Sequence, residues 1–275
     1  MKPKIYDCIT FFQSELLFNI RYNVLKHIVD YFVICEATRT HTGKLKKINF
    51  DYKKWKNKTN KIIFIKVTDI PKIKLMQKNK FDLIKFQIEK LFLGINDAED
   101  NDLIMLSDED EIPNPKTIKK FNYKKYKFGI FMQNLYYYKL NILNLTNGMN
   151  SWPGSRICQK KNLKSFFNLK ILKIKNSNEP FWKFYKEKNI QRINKGGWHF
   201  SYLMNPKTIS EKIKNSGHIE YNKPNFTNIK NIKEKIKGFK DLFDRNIKLK
   251  KVNINKSYPK FILSNKNNFK QWIAK

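Results

Sequence analysis

The chain has 275 residues, 41% of them hydrophobic, which is enough apolar material for one large buried core. Lysine and arginine outnumber aspartate and glutamate 57 to 23, giving a formal net charge of +34. Such a charge favours anionic partners. The excess lysine is spread along the whole chain with abundant asparagine and isoleucine, as an AT-rich coding sequence would produce, so we do not expect a nucleic-acid partner.

No stretch is apolar enough to span a membrane, and the start lacks the apolar core of a signal peptide. We therefore expect a cytoplasmic protein, peripheral at the inner membrane face where its lysine-rich tail meets anionic lipid. The cysteines Cys8, Cys35 and Cys158 are odd in number and lack metal-ligand spacing, so we expect buried free thiols.

The first half of the chain alternates strand and helix patterns. Apolar runs predict strands over residues 5–11, 31–36, 62–67 and 103–106. Helical spacing predicts helices over 15–29, with Ser14 as N-cap, and over 82–93, and Pro113 with Pro115 opens a helix over 116–121. The β-α-β order predicts a doubly wound, mostly parallel sheet flanked by helices.

After residue 127 the pattern changes to aromatic strands, predicted over 129–133 and 135–140. The Pro-Gly pair within 151–154 predicts a loop. Residues 223–275 read as a basic, helical C-terminal extension that packs on the preceding domain or follows it.

Acidic side chains are concentrated at one place. Eight of the 23 acids fall between Asp97 and Glu111, four before the predicted strand 103–106 and four, from Asp108 to Glu111, after its end. Ligands bind at the carboxyl ends of strands in open α/β sheets, and an Asp-x-Asp there can hold a divalent cation that neutralises a diphosphate. Asp108 could instead solvate a loop, and Asp110 or Asn114 could cap the next helix. The strand context favours a metal-diphosphate site.

Several ordered motifs resemble glycosyltransferase family 17, which contains the β-1,4-mannosyl-glycoprotein β-1,4-N-acetylglucosaminyltransferase. The resemblance covers about residues 5–245. The motifs are Tyr6-Asp7-Cys8, Ser14-Glu15-Leu16-Leu17, Asp30-Tyr31-Phe32-Val33-Ile34-Cys35-Glu36, Thr40-His41-Thr42-Gly43-Lys44, Ser107-Asp108-Glu109-Asp110-Glu111-Ile112-Pro113, and Gly197-Trp198-His199-Phe200-Ser201-Tyr202 followed by Lys212 and Ser216-Gly217-His218-Ile219-Glu220.

The resemblance implies a GT-A-like domain over 1–222, with a nucleotide-sugar half at 1–126 and an acceptor half at 127–222. It implies an inverting transfer from a UDP-sugar, with UDP-N-acetylglucosamine as donor and Mn²⁺ or Mg²⁺ as cofactor. The chain departs from the family at Ile84 and Ile88, where a Glu and an Arg are usual. The preferred donor sugar can therefore differ from that of the family. Without the membrane anchor of the animal enzymes, we expect a glycan or lipid-linked glycan acceptor.

The same resemblance implies site residues in the later half. A late histidine completes the metal site with Asp108 and Asp110, and either His199 or His218 can fill that place, with His199 slightly preferred because it ends a strand-like segment. Inversion also needs a base for the acceptor hydroxyl. Glu220 matches the family and Glu179 matches the usual chain order, so both stay as candidates.

On the donor side, we expect UDP-sugar binding where the first strands end, between Phe11, Glu36 and Asp108. Glu36 would face the uridine or ribose, and Lys46 would reach phosphate unless it is a paired loop lysine. Gln87 still fits the family pattern. Two other classes remain as alternatives: a basic nucleic-acid-binding protein that stacks bases on its tyrosines, and a metal-dependent phosphotransferase or nuclease.

Overall fold

The structure is a computed structural model that describes residues 2–70, 82–146, 151–180, 182–183 and 186–275. Its strands are β1 Ile5–Thr10, β2 Tyr31–Ala37, β3 Ile62–Val67, β4 Leu103–Asp108, β5 Glu111–Pro113, β6 Phe128–Tyr137, β7 Ile142–Asn144, β8 Trp152–Gln159, β9 Ile190–Ser201 and β10 Leu249–Lys251. Its α-helices are α1 Glu15–Leu25, α2 Tyr52–Lys58, α3 Asp82–Glu89, α4 Pro115–Ile118, α5 Phe166–Ile171, α6 Pro206–Asn215, α7 Pro224–Thr227, α8 Ile229–Lys237 and α9 Lys260–Ser264. Short 3₁₀ segments lie at Lys90–Ile95, Lys160–Asn162, Ile174–Asn178, Ile219–Tyr221 and Lys266–Trp272.

The strands described form one sheet. Its amino-terminal half is parallel in the order β3-β2-β1-β4, and β8 then pairs antiparallel with β4. The order continues through β6, β7 and β10, while β9 runs parallel to β6 and antiparallel to β5. This mixed α/β sheet flanked by helices is the predicted fold class, and the parallel half places the carboxyl ends of β1, β2 and β4 at one edge.

Helices cover both faces of the parallel half. Strand β1 shows why, because Ile5 and Ile9 enter a core with Phe18 of α1, whereas Tyr6 and Cys8 face the opposite core with α3 and α5. This alternation follows from the two-residue period of a strand. The three cysteines are buried and free, as expected. Among the described residues, no helix has the length and apolarity to cross a bilayer.

The basic C-terminal segment is part of the sheet and of the core. Strand β10 pairs with β7, and Tyr258, Ile262 and Phe269 pack in one cluster with Leu17 and Ile20 of α1. The extension therefore contributes a strand in addition to its helices.

Several predicted boundaries differ from the structure. The first helix ends at Leu25, and the predicted helix 116–121 is the short α4, which ends at Ile118. The two aromatic strands are one strand, β6, which ends before Tyr138, where the backbone turns to a φ of 62°.

The predicted loop at 151–154 was wrong, because β8 begins at Trp152. Pro153 lies within that strand, where its pairing with β6 shifts register between Ile130 and Met132. Such an irregularity accommodates a residue that has no backbone N–H to donate. Pairing with β6 therefore overrides the local turn signal.

A fully buried ion pair joins α1 to the sheet below the acidic motif. Arg21 Nε and Nη2 each donate to Asp7 of β1 at 2.6 Å, and both side chains have no exposed surface. Arg21 Nη1 donates at 2.6 Å to the backbone carbonyl of Glu111 and lies 3.5 Å from that of Asp108. One guanidinium therefore fixes both ends of the turn that carries the acids.

We predict that Arg21→Met lowers the free energy of unfolding by about 3–5 kcal/mol, because it leaves Asp7 as a buried, uncompensated charge. Equilibrium denaturation in urea measures the change. The double variant Asp7→Leu/Arg21→Met removes both charges and should be more stable than the single variant. A single variant as stable as the double would show that the pair does not hold this region.

Candidate active site

The acidic motif forms a tight turn between β4 and β5. Asp108 ends β4, Glu109 and Asp110 form the turn, and Glu111 begins β5. In the parallel register, Thr10 at the end of β1 lies beside both Asp108 and Cys35. The turn, hereafter the acid turn (residues 108–111), therefore lies at the edge where β1 and β2 also end.

Each aspartate of the acid turn meets a lysine from a different helix. Asp108 forms an ion pair with Lys170 of α5, and Asp110 Oδ2 lies 3.1 Å from Nζ of Lys212 on α6. Burial opposes the charged form of Asp110, but Lys212 and His199 outweigh it and hold the pKa of Asp110 well below its ordinary value. The pKa of Asp108 is also lowered, because Lys170 outweighs the effects of burial and of Asp110.

His199 is held against the acid turn by strand pairing. On β9 it is the partner of Glu111 on β5, and its Nε2 lies 3.4 Å from Asp110 Oδ1. Burial disfavours the protonated ring, but Asp110 outweighs it and raises the pKa of His199. Its Nδ1 is buried with no hydrogen-bond partner within the part of the chain that the structure describes.

Gly197 lets β9 approach the turn this closely. Its φ is +141°, and a Cβ built there would lie 2.1 Å from the carbonyl oxygen of Ile112. Any side chain at residue 197 would therefore separate β9 from β5 and move His199 away from Asp110.

The other two acids of the turn act as framework. Glu111 accepts from Trp152 Nε1 at 2.8 Å and from the backbone N–H of Asp108 at 3.2 Å. Glu109 accepts from the N–H groups of Phe12 and Gln13, at 2.9 and 3.3 Å, and burial raises its pKa. These bonds link the turn to the loop after β1 and to the start of β8.

The predicted donor residues Phe11, Glu36 and Lys46 lie near the same edge, but their side chains contact other parts of the protein. Glu36 is fully buried, pairs with Lys46 and accepts from the N–H groups of Asn49 and Phe50, at 2.9 Å each. The ring of Phe11 is buried against Phe50, with centroids 5.2 Å apart. Glu36 and Lys46 therefore order the loop after β2.

Gln87 of α3 connects the end of β2 to the loop that follows it. Its Nε2 donates to the carbonyl of Cys35 at 3.2 Å, and its side chain hydrogen-bonds His41. Burial is the main cause that lowers the pKa of His41 to about 4, and the charges of Lys170 and Lys212 lower it further. His41 is therefore neutral at pH 7 and within electrostatic reach of both lysines.

Sequence reasoning assigned no role to His41, Lys170 or Lys212. His41 had a usable signal, since it follows a buried strand on a polar loop. Lys212 had one as well, since it is among the residues that resemble the family. Lys170 had none, because it is 62 residues from its carboxylate partner in a chain full of lysine.

The remaining predicted residues have other partners. His218 Nδ1 and Glu220 Oε1 lie 3.0 Å apart on the turn after α6, and both side chains are exposed. Glu179 pairs with Lys183 and Lys186, which lower its pKa to about 2. Within the described ranges, no three His, Cys, Asp or Glu side chains form a group that could hold a metal by itself.

Two cavities lie at the opposite edge of the sheet. One, of about 490 Å³, is next to the start of β6, and the other, of about 450 Å³, is next to the start of β1. Residues lining them include Lys127 and Gln159 in the first and Lys4 and Asp30 in the second. No residue of the acid turn lines either cavity.

We predict that the imidazole of His41 titrates near pH 4 in the metal-free protein, as followed by NMR. Between pH 6.5 and 4 the unfolded chain then binds a proton that the folded chain does not. Stability should therefore fall as the pH is lowered through this window, and His41→Gln should reduce the fall. His27→Gln, which removes an exposed imidazole, is the control. Titration of His41 near pH 6.5 would contradict the prediction.

Comparison with known proteins gave one family match. The model of glycosyltransferase family 17 matches residues 1–270. No curated protein matches the chain.

Solved structures show only a distant likeness. A 4-diphosphocytidyl-2C-methyl-D-erythritol synthase is 12% identical with a TM-score of 0.39, covering 70% of this chain and 90% of the other. The glucosyl-3-phosphoglycerate synthase of Mycobacterium tuberculosis, solved with Mn²⁺, UDP and phosphoglyceric acid, is 8% identical with a TM-score of 0.36, covering 71% and 69%. A glycosyltransferase involved in glycosylation of the major capsid of PBCV-1 is 9% identical with a TM-score of 0.28, covering 70% and 81%. At these scores the likeness supports no functional argument.

The family match extends over nearly the whole chain and includes the acid turn, His41, Gln87 and His199. The chain belongs to glycosyltransferase family 17.

Proposed function

We propose that this glycosyltransferase moves a sugar, N-acetylglucosamine by its family resemblance, from a UDP-sugar to a hydroxyl of a glycan or lipid-linked glycan. The observation that carries the proposal is the acid turn at the carboxyl ends of β1 and β4, with Lys170, Lys212 and His199 around it. A nucleotide diphosphate needs both a cation and hydrogen-bond donors, and this edge of the sheet offers groups of both kinds.

A divalent cation fits the residues present when the donor completes its coordination. Asp110 Oδ1 and His199 Nε2 are 3.4 Å apart, a separation at which both can ligate one ion. Mg²⁺ and Mn²⁺ are commonly held by one or two carboxylates together with substrate phosphates. We propose Asp110, His199 and Asp108 as the residues that hold Mn²⁺ or Mg²⁺. The bound ion would neutralise charge on the diphosphate.

Transfer needs a nucleophile, a leaving group and a proton acceptor. The acceptor oxygen attacks the anomeric carbon, the bond from that carbon to the diphosphate oxygen breaks, and UDP leaves with the electron pair. The acceptor proton goes to a base, for which we propose Glu220 ahead of Glu179. Glu179 sits between two ammonium groups with a pKa of about 2, so it holds a proton poorly.

Trp152 offers a surface for the acceptor. It is 41% exposed although it lies beside the acid turn, and its Nε1 bond to Glu111 fixes the orientation of the ring. Its ring meets His199 edge to face, with centroids 5.3 Å apart. A flat apolar face held in one orientation suits the C–H face of a sugar ring.

The location we propose is the cytoplasmic face of the inner membrane. Exposed lysines lie along the C-terminal segment, at Lys250 and Lys251 of β10 and at Lys256 and Lys260. Contact of these lysines with anionic lipid would bring the enzyme to a lipid-linked acceptor.

We predict that Asp110→Asn lowers the rate of UDP-sugar cleavage and transfer about 100- to 1,000-fold, because one charge that acts on the diphosphate site is lost. The assay follows UDP release with and without Mn²⁺ or Mg²⁺. Asp97→Asn, an exposed acid ahead of β4, is the matched control. If the wild-type protein cleaves no UDP-sugar but binds or cuts nucleic acid, the proposed function is wrong.

We predict that Glu220→Gln lowers the rate of transfer about 10²- to 10⁴-fold while UDP-sugar affinity stays unchanged, because deprotonation of the acceptor helps only in the transition state. Single-turnover transfer and calorimetry measure the two quantities. Glu179→Gln should have the smaller effect. Normal transfer by both variants would place the base elsewhere.

A further inference from the structure

Two lysines stand out from the many basic residues of the chain. Lys170 and Lys212 come from separate helices, and each is the ion-pair partner of one aspartate in the acid turn. Their side chains are only 29% and 25% exposed, although most lysines of the chain lie in solvent. Both ammonium groups are also close enough to His41, on the loop after β2, to lower its pKa.

Stability does not explain this arrangement well. Removing an ammonium group from water costs several kcal/mol, and its attraction to a carboxylate does little more than offset that cost. Lys212 gains one further contact, since its Nζ lies 5.5 Å from the centroid of the Tyr202 ring. Two charge pairs at the mouth of a ligand site are better explained by exchange of partners during binding.

The pairs are suited to exchange. Asp108 is 44% exposed at its side chain, so solvent or a ligand reaches the Lys170 pair directly. Asp110 has a second partner in His199, so it is not left unpaired when Lys212 moves. A lysine has a long flexible stem, which lets its ammonium group turn to a new anion without moving the backbone.

We propose that Lys170 and Lys212 are exchangeable counter-ions of the donor site. In the ligand-free protein they neutralise Asp108 and Asp110. When the donor binds with a divalent cation, Asp108 and Asp110 would hold the cation, and the ammonium groups of Lys170 and Lys212 would turn to the diphosphate oxygens and stabilise the departing UDP. This inference rests on the proposed function.

Charge balance supports the exchange. Before binding, two carboxylates meet two ammonium groups. Binding adds a diphosphate ester with two negative charges and a cation with two positive charges, so the site gains no net charge. When the bond to the sugar breaks, the extra negative charge develops on the diphosphate, next to ammonium groups already in place.

The proposal predicts two effects of opposite sign in Lys212→Met and Lys170→Met. Loss of an ammonium group removes a competitor, so Mn²⁺ alone should bind the ligand-free variants several-fold more tightly than wild type. UDP, with Mn²⁺ saturating, should bind about 10- to 100-fold more weakly, as expected for the loss of one charge-assisted hydrogen bond. Calorimetry measures both affinities without relying on turnover.

Controls separate the two lysines from general charge effects. Lys214→Met on α6 and Lys173→Met after α5 remove exposed lysines close in sequence and should leave both affinities within twofold of wild type. Lys212→Arg keeps the cation and should restore UDP binding. Thermal unfolding with each variant checks that the fold is kept, and the Lys170 variant stands as the test should Lys212→Met fail to fold.

Each outcome has a consequence. Variants that bind both Mn²⁺ and UDP as wild type does, or that bind both more weakly, overturn the counter-ion exchange while the proposed function stands. Wild-type protein that binds no UDP in the presence of Mn²⁺ overturns the proposed function, and the exchange with it.

Discussion

The buried pair of Arg21 and Asp7 is the constraint on which the site depends. It joins α1 to β1 with no exposure to solvent, and the same guanidinium binds the carbonyl of Glu111. The hydrogen bond to this backbone carbonyl restrains the turn between β4 and β5. The direction in which Asp108 and Asp110 point is therefore set from the core side, before any ligand binds.

A basic protein can maintain an acidic site because burial and pairing are local. The net charge of +34 favours the approach of the anionic donor that we propose, while the acid turn supplies carboxylates for the proposed cation. Long-range attraction and short-range coordination thus come from different residues. Lys170 and Lys212 add to the positive surface charge and also bring positive charge next to the acid turn.

The sequence was sufficient to predict the features of the fold and of the site that depend on a local pattern of residues. Apolar periodicity identified β3 to the residue, and the contrast between scarce acids and abundant lysine identified the acid turn. It did not predict that Pro153 lies in a strand, because pairing with β6 is a tertiary effect. Nor could it select Lys170, since only the placement of α5 distinguishes it from other lysines, and it gave Lys212 no role although that residue is part of the family resemblance. The proposed roles of His199 and Glu220 came from resemblance, which carries information that periodicity lacks.

The ion pairs at this edge of the sheet differ in how far their side chains are exposed to solvent, and this decides how costly each pair is to break. The Arg21–Asp7 pair is wholly buried, and the Lys46–Glu36 pair has a fully buried carboxylate and a lysine only 12% exposed. Breaking either would leave a desolvated charge, so both act as fixed structural links. The pairs at Asp108 and Asp110 reach solvent through lysines that are 29% and 25% exposed, where water or a ligand can replace the lost partner. The inner pairs therefore hold the backbone, and the outer pairs are the ones that the proposed exchange of partners involves.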